Sequence, residues 1–185
     1  MELRADPGVA AARIQLGLRE MVSSGRFGKD LRATMGMTQL HPGLVNVVPN
    51  RVLASVDIRH PDDAVLRRAE AELVAFYAHV AAEEKVKVAH RETARTPDIP
   101  FATKVQDLVA RFASARGLSH QRIVSGAGHD CQEIAHICPS GMVFVPGEYD
   151  GISHNPREYS TPAQCADGVN VLLDVVLELA EEDGL

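Results

Sequence analysis

Two loops of this chain carry the residue types best suited to chemistry. One holds His154 within residues 150–158 (DGISHNPRE), a turn-rich stretch that follows a short apolar run. The other is a glycine-rich stretch at residues 125–130 (SGAGHD), which contains Gly128 and His129. Loops that follow buried strands often carry binding and catalytic groups, and an imidazole can bind a metal ion or carry a proton near neutral pH. Both loops are therefore candidate parts of a functional site.

Each loop also has an ordinary structural interpretation, and the sequence alone leaves both open. Gly126 and Gly128 could let a ligand approach the backbone ahead of a helix, or they could form a simple turn capped by Asp130. His129 and Asp130 form a tandem that metal phosphohydrolases also have, but fitting His and Asp ligands do not flank it. His154 could be a surface histidine, because no His-x-x-x-His or Cys-x-x-Cys motif accompanies it and a complete zinc site cannot be written.

Two polar residues of the first half could bind a substrate. Arg59 lies on the same face of an alternating strand as Asp57 and Ser55. Its planar guanidinium could clamp a substrate carboxylate, or it could form a surface ion pair with Asp57 that contributes little. Asn46, in a connector interrupted by prolines, could donate a hydrogen bond to a carbonyl or carboxylate, or it could be a turn residue.

The composition indicates a soluble globular protein with a sizeable core. The 185 residues are 45% hydrophobic and 24% charged, enough for one large domain or two small ones. The formal net charge of −6 argues against a nucleic-acid partner. No apolar run reaches the ~20 residues of a membrane span, and the N-terminus lacks a signal-peptide core. Cys131, Cys138 and Cys165 are too few for a disulfide framework, so we expect a cytoplasmic protein with reduced thiols, the first two in its core.

The first half is predicted to have the order α-β-β-α-β. Helical and alternating periodicities distinguish its elements, and the order is that of a split β-α-β layer without its first strand. The predicted elements are a helix at residues 7–23, strands at 30–40 and 52–59, a helix that starts at Asp62 or Asp63, and a strand at 85–91.

The second half is predicted to be an incomplete α/β layer that begins after a boundary at residues 96–100. Helices alternate there with short apolar strands, but two strands are too few for a parallel sheet. The last helix is apolar on most sides, so we expect it to be largely buried. The predicted elements are a helix closed by Gly117, a strand at 122–124, a helix at 131–137 with a capping box of Asp130 and Glu133, a strand at 142–145, and a helix from Thr161 to about Glu182.

Five stretches together resemble one family in their order and spacing, over nearly all of the chain. The family is the group of N-carbamoyl-L-amino-acid hydrolases, β-ureidopropionases and allantoate amidohydrolases, within the M20 metallopeptidase-like superfamily. The stretches are residues 45–49 (VNVVP), 56–62 (VDIRHPD), 125–130 (SGAGHD), 142–146 (MVFVP) and 151–158 (GISHNPRE).

The resemblance implies a fold, an activity and cofactors. It implies a mixed α/β enzyme whose catalytic domain holds two divalent metal ions (Zn, Mn, Co or Ni), with an inserted α+β lid that mediates homodimerisation. Residues 1–95 would be this lid and residues 96–185 the last part of the catalytic domain. The implied reaction is attack of metal-activated water on a ureido or amide carbonyl, with a glutamate as general base.

The resemblance also implies roles for five residues. His154 would be the last metal ligand. Asn46 and Arg59 would be a substrate-binding pair that reaches into the partner subunit's site, with Arg59 on the carboxylate. Gly128 and His129 would line the substrate.

One departure from the family pattern limits the expected activity. The family's other metal ligands, its catalytic glutamate and its Asn-His-Ala-Gly segment belong to an N-terminal half without a counterpart in this sequence. We therefore expect the chain to start near the lid's first helix, to have no catalytic residue of its own, and to be inactive and metal-free alone. Its expected partners are a small ureido or amide substrate, a second copy and a separate N-terminal half. The alternative is a non-catalytic dimerisation or small-molecule binding module.

Overall fold

The structure, a computed structural model, describes residues 3–181. Contacts divide the chain into two compact units, Met1–Asp98 and Ile99–Leu185. Within the described residues, every helix is too short or too polar to cross a bilayer. In chain order the elements are α1 (Pro7–Ser23), β1 (Arg32–His41), β2 (Arg51–Arg59), α2 (Asp63–Glu83), α3 (Thr103–Ala115), α4 (Cys131–Ile134), α5 (Glu148–Gly151) and α6 (Pro162–Glu181).

The two long helices of the first unit begin at aspartate caps. Asp6 accepts a hydrogen bond from the Gly8 N–H at 3.0 Å, and Asp62 accepts one from the Ala64 N–H at 2.8 Å. Such caps satisfy donors that the first helical turn leaves without an intrahelical partner. The predicted helices are confirmed, and they supply most of one core. Its buried residues are Ala10, Ile14, Leu18, Met21, Phe27, Leu31, Ala69, Leu73 and Val80.

The strands β1 and β2 form an antiparallel pair against which α1 packs. The pairing runs from Arg32 opposite Arg59, with an irregularity between Thr34 and Met37. In β2 the predicted alternation of half-buried and exposed residues is confirmed. In β1 the predicted alternation is wrong beyond the irregularity, where Met37 is exposed. The extra residue at the irregularity changes which of the following side chains face the core.

The predicted strand at residues 85–91 is wrong. Val86 and Val88 are half-buried and alternate with the exposed residues Lys85, Lys87 and Ala89, so the alternation exists. However, the sheet within the described residues contains only β1 and β2, and residues 85–91 are not part of it. A strand needs a hydrogen-bonded neighbour as well as an apolar face. The observed order of the first unit is therefore α-β-β-α.

The second unit is built around α3 and α6. Val105 and Ala113 of α3 and Val171 and Val175 of α6 are its buried hydrophobic residues. The predicted start of α6 at Thr161 is confirmed by a capping box, since Thr161 Oγ1 accepts from the Gln164 N–H at 3.2 Å and Gln164 Oε1 accepts from the Thr161 N–H at 2.7 Å. The predicted end of α3 is also confirmed, because Gly117 has φ +70°, which suits glycine.

Ion pairs join the same two helices. Arg116 Nε lies 2.7 Å from Asp174 Oδ2, and Arg111 lies 2.7 Å from Glu178 Oε1. The hydrogen bond from Arg116 holds the pKa of the Asp174 carboxyl below its usual range. These pairs fix one face of α6 against α3.

Two further strand predictions and the burial of α6 are wrong. Residues 122–124 and 142–145 pair with no strand among residues 3–181. Five large apolar side chains of α6 are at least half exposed, because no sheet formed by residues 3–181 covers that face. They are Val169, Leu172, Leu173, Val176 and Leu177.

Candidate functional site

The loop that holds His154 adopts an unusual backbone conformation. Tyr149, Asp150 and Gly151 have φ of 55°, 61° and 68°, so α5 is a left-handed turn rather than an ordinary helix. His154 itself has φ 56°. For residues other than glycine this region costs roughly 1–2 kcal/mol each, and such strain clusters at functional sites. The loop therefore has the backbone signature of a binding or catalytic segment.

Side-chain contacts hold His154 in that conformation. Glu158 Oε2 accepts a hydrogen bond from the His154 N–H at 2.9 Å. Asn155 Oδ1 accepts from the Arg157 N–H at 3.0 Å, and the Arg157 guanidinium lies 5.2 Å from the Tyr149 ring centroid. Sequence reasoning included Glu158 in a motif but gave it no role. The sequence signal for a contact between Glu158 and His154 was their separation of four residues within a loop that is too short to form a helix.

Two hydrogen bonds close the base of the loop. The Glu148 N–H donates to the Tyr159 carbonyl at 2.8 Å, and the Ser160 hydroxyl donates to the Pro146 carbonyl at 2.8 Å. The exposed imidazole of His154 is thus presented by a closed loop.

The left-handed backbone of His154 leads to a stability prediction. We expect His154→Gly to be more stable than His154→Ala by about 1 kcal/mol, because alanine keeps a Cβ that disfavours φ near +56°. Thermal unfolding of the two variants measures the difference. His120 lies outside the positive-φ residues, so at that control position the glycine variant should be no more stable than the alanine variant. Equal stability at both positions would contradict the described loop geometry.

The glycine-rich loop is organised by His129 rather than by the predicted capping box. Asp130 makes no side-chain cap at α4. Instead His129 Nδ1 accepts a hydrogen bond from the Cys131 N–H at 3.0 Å, and Gln132 Oε1 accepts from the His129 N–H at 3.1 Å. With Nδ1 as acceptor, the neutral ring carries its hydrogen on Nε2, where it can donate. Gly128 lies beside this turn and would have room for a Cβ, with Gln132 Oε1 3.6 Å away.

The cysteines around this loop differ from their predicted role. Cys138 is exposed and Cys131 is half-buried, so neither is a fully buried core thiol. Cys131 Sγ lies 3.5 Å from the Gly141 carbonyl oxygen. Both thiols were expected in the core because they lie seven residues apart on or near one helix, but α4 contains only four residues and cannot bury both.

Arg59 forms a two-point ion pair with Asp57. Nε lies 2.7 Å from Oδ1 and Nη2 lies 2.9 Å from Oδ2, and the arginine side chain is 51% exposed. The hydrogen bonds that Arg59 donates to Asp57 raise the pKa of Arg59 further, so it is charged at every physiological pH. Of the two interpretations open from sequence, the surface pair is the contact present in the structure. A carboxylate ligand would share the guanidinium with Asp57 or replace it.

Asn46 lies in an exposed turn of the connector between β1 and β2. The Asn50 N–H donates to the His41 carbonyl at 2.9 Å and closes this connector. Val45 and Val47 beside Asn46 are also exposed. The turn-residue interpretation therefore describes its conformation, while its exposure leaves the amide accessible to a ligand.

The five residues belong to two different units of the chain. Asn46 and Arg59 lie in Met1–Asp98, whereas Gly128, His129 and His154 lie in Ile99–Leu185. Across residues 3–181, no three His, Cys, Asp or Glu side chains come together so that they could hold a metal ion. The described part of the chain does not by itself fit a metal centre. His154 can offer one ligand only.

Comparison with known proteins places the chain in a family. The sequence model of peptidase family M20/M25/M40 matches residues 6–178. The chain belongs to this family. It is 34% identical over 180 residues to the allantoate amidohydrolase of Bacillus subtilis (strain 168), and 33% identical over 181 residues to the N-carbamoyl-L-amino acid amidohydrolase of Geobacillus stearothermophilus. These matches cover 97% and 98% of this chain but 43% of each relative.

Solved structures of family members share the fold. An amidase of the hydantoinase/carbamoylase family from Burkholderia vietnamiensis superimposes with a TM-score of 0.92 at 40% identity, covering 97% of this chain and 43% of that one. The YXEP protein of Bacillus subtilis, described as a dinuclear metal-binding M20 peptidase, superimposes with a TM-score of 0.62 at 14% identity, which shows a common fold alone. The mixed α/β class predicted from sequence is confirmed. This M20 chain spans less than half the length of the relatives it matches.

Proposed function

We propose that this chain is the lid and the last part of the catalytic domain of a metal-dependent amidohydrolase that cleaves linear amide or ureido C–N bonds. The observation that carries the proposal is the family match over residues 6–178 together with 43% coverage of the relatives. The substrate class is N-carbamoyl-L-amino acids or similar ureido acids, since the relatives include amidohydrolases of allantoate and N-carbamoyl amino acids. In this proposal residues 1–95 are the dimerising lid and residues 96–185 the catalytic part.

Hydrolysis in this proposal needs a complementing polypeptide. This polypeptide corresponds to the part of the relatives that lies outside the match, and it is either joined to this chain or separate. His154 then supplies one metal ligand, and its strained, internally fixed loop supports that role. His129 lines the substrate together with Gly128. This role is supported by His129 Nδ1, which accepts a backbone hydrogen bond and leaves the Nε2 hydrogen of the neutral ring available as a donor. Arg59 and Asn46 bind the substrate, which their exposure allows.

Co-expression tests the proposal. The chain is produced with the part of the Burkholderia vietnamiensis amidase that lies outside the match, and ammonia release is followed from N-carbamoyl-L-amino acids and allantoate. We expect hydrolysis from the mixture and none from the chain alone. A mixture that associates, holds metal and releases no ammonia from any ureido or amide acid would refute the amidohydrolase function.

Arg59 provides a prediction about substrate binding in the complemented protein. Arg59→Ala should raise KM for ureido acids by about 10- to 100-fold, because a hydrogen bond to a charged group contributes roughly 1.5–3 kcal/mol. Arg59→Lys should restore only part of the loss, since an ammonium lacks the planar fork. Arg51→Ala, an exposed arginine at the other end of β2, is the matched control. An unchanged KM in Arg59→Ala would leave Arg59 as a surface pair with Asp57.

A second candidate function is a non-catalytic dimerisation module. It is favoured by the exposed apolar residues Leu44, Val45 and Val47 in the β1–β2 connector. Sedimentation of the isolated chain distinguishes it: a stable dimer that shows no hydrolysis after complementation would support the module.

A further inference from the structure

The exposed face of β2 carries two charged side chains, Asp57 and Arg59, that are two residues apart. They share this face because side chains alternate along a strand, and 53% and 51% of their side-chain surfaces are exposed. Arg59 Nε lies 2.7 Å from Asp57 Oδ1, and Nη2 lies 2.9 Å from Oδ2. The carboxylate therefore binds one edge of the planar guanidinium with two parallel hydrogen bonds.

The stability of the fold gives little reason for this pair. Ion pairs between side chains this exposed contribute little, because water screens the charges and two flexible side chains lose rotamer freedom. Strand β2 packs on the core through Val56 and Ile58, which lie on its opposite face. The main consequence of the pair is therefore a fixed orientation of the Arg59 guanidinium, whose long side chain otherwise has many rotamers.

The neighbouring strand adds a second reason for holding Arg59. Arg32 of β1 lies directly opposite Arg59 in the strand pairing, and Thr34 lies opposite Asp57. Like charges directly opposite each other repel, so an arginine that is not held would turn away. Arg32 is held by the backbone, since its Nη1 donates to the Lys29 carbonyl at 2.8 Å. Asp57 supplies the corresponding acceptor for Arg59, together with a compensating negative charge.

We propose that Asp57 is a positioning residue, which holds the Arg59 guanidinium in the orientation that receives the substrate carboxylate. A guanidinium has two edges in a fixed fork geometry, and each edge can bind a carboxylate. Asp57 lies along the edge formed by Nε and Nη2, so the substrate binds through Nη1 while the pair stays intact. Orienting Arg59 beforehand lowers the entropy cost of binding. The inference rests on the proposed function for the identity of the carboxylate.

The substitution Asp57→Asn separates this role from two alternatives by the direction of the change in KM. An amide of the same size has one acceptor oxygen, so it cannot form the two-point pair. In the complemented protein, KM for an N-carbamoyl-L-amino acid should rise about threefold to tenfold with kcat nearly unchanged, because Arg59 must then be ordered on binding. A lower KM would show that Asp57 competes with the substrate, and an unchanged KM would show a surface contact alone. Either result would overturn the proposal.

The amide of the same substrate separates positioning from general damage to the site. An N-carbamoyl-L-amino acid amide has no carboxylate, so its apparent affinity, measured by competition with the acid, should change less than about twofold in Asp57→Asn. Glu72→Gln is the matched control, because Glu72 forms a similarly exposed ion pair with Arg26 in the same unit. This control should leave both affinities unchanged. Equal losses for acid and amide in Asp57→Asn would overturn the proposal.

Hydrogen exchange at Arg59 tests the pair itself without hydrolysis. In NMR spectra of the chain alone, the Nε–H of Arg59 should exchange at least about threefold faster in Asp57→Asn, because a hydrogen-bonded proton exchanges only after the bond opens. Glu72→Gln should leave the exchange at Arg59 unchanged. Equal exchange in the wild-type and Asp57→Asn chains would overturn the proposal whatever the activity of the complemented protein.

Failure of this inference and failure of the proposed function are distinguishable. If the complemented protein releases no ammonia from any ureido acid, the proposed function fails, and equilibrium dialysis of an N-carbamoyl-L-amino acid then supplies a dissociation constant in place of KM. Weaker binding to Asp57→Asn would support the positioning role, and binding that is not weakened would overturn it. Hydrolysis with a KM that Asp57→Asn leaves unchanged or lowers would keep the proposed function and overturn this inference.

Discussion

Replacing His154 by alanine is expected to lower the hydrolytic rate of the complemented protein by at least about 10³-fold. The physical reason is that a divalent ion contributes several kcal/mol of transition-state stabilisation in hydrolases, and each tenfold in rate corresponds to about 1.4 kcal/mol. In the proposed function His154 is one ligand of this ion, so its replacement should lower the occupancy of the ion and alter its position. Initial rates of ammonia release, with metal content measured on the same samples, give the effect.

His136→Ala is the matched control for this substitution. His136 is an exposed histidine of the same unit, and it lies near the second candidate loop without being assigned a role. Its variant should retain nearly the full rate. If His154→Ala also keeps the rate and the bound metal, the assignment of His154 as a ligand fails. Unaltered helix content in both variants excludes general unfolding as the cause of a loss.

Leu18→Ala is expected to destabilise the first unit by about 2–5 kcal/mol. Leu18 of α1 is 2% exposed and belongs to the core cluster that also includes Leu31 and Val80. The loss combines the transfer of apolar surface with the cavity left behind. Since a domain of this size is typically stable by only about 5–15 kcal/mol, much of its stability would be lost. Denaturant titration followed by circular dichroism measures the change.

Leu16→Ala is the control on the same helix, because Leu16 is 66% exposed and the substitution is identical. Its effect should stay within about 0.5 kcal/mol. Hydrogen exchange of the α1 amides assigns the change to this unit rather than to Ile99–Leu185. Equal destabilisation by the two substitutions would contradict the described packing of α1.

Elements whose signals are local were predictable from the sequence. The starts of α1, α2 and α6 depend on Asp6, Asp62 and the pair Thr161 and Gln164, whose side chains bond to backbone N–H groups within three residues. The sequence signals for helix ends and apolar stripes are equally local, and Gly117 at the end of α3 is an example. The alternation of half-buried and exposed residues in β2 was also predictable, since one face of the strand packs on a core.

The three failed strand predictions share one physical cause. Residues 85–91, 122–124 and 142–145 have strand-like composition, but a strand exists only where a second segment supplies a hydrogen-bonded ladder. Among residues 3–181 that second segment is present for β1 and β2 alone. The exposure of α6 has the same origin, because periodicity shows that a face is apolar and says nothing of what covers it.

His154, His129 and Arg59 were selected from their residue types and positions and received roles from the family resemblance, and these roles stay predictions. The geometry around them was not predictable from the sequence. The left-handed turn at Tyr149 and Asp150 was missed, because tyrosine rarely adopts positive φ, whereas Asp150 and Gly151 are residue types that do so more readily. The role of His129 Nδ1 as an acceptor for a backbone N–H was likewise invisible, since it replaces a cap that Asp130 was expected to supply.

Metal binding tests most directly whether this chain contributes one ligand to a metal site that another polypeptide completes. Divalent ions such as Zn²⁺ or Mn²⁺ are dialysed against the chain alone, the complemented protein and the complemented His154→Ala variant, and the bound metal is counted. We predict no stoichiometric metal on the chain alone, tightly bound metal on the complemented protein, and a reduced amount on the variant. Stoichiometric metal on the chain alone that survives His154→Ala would contradict the account.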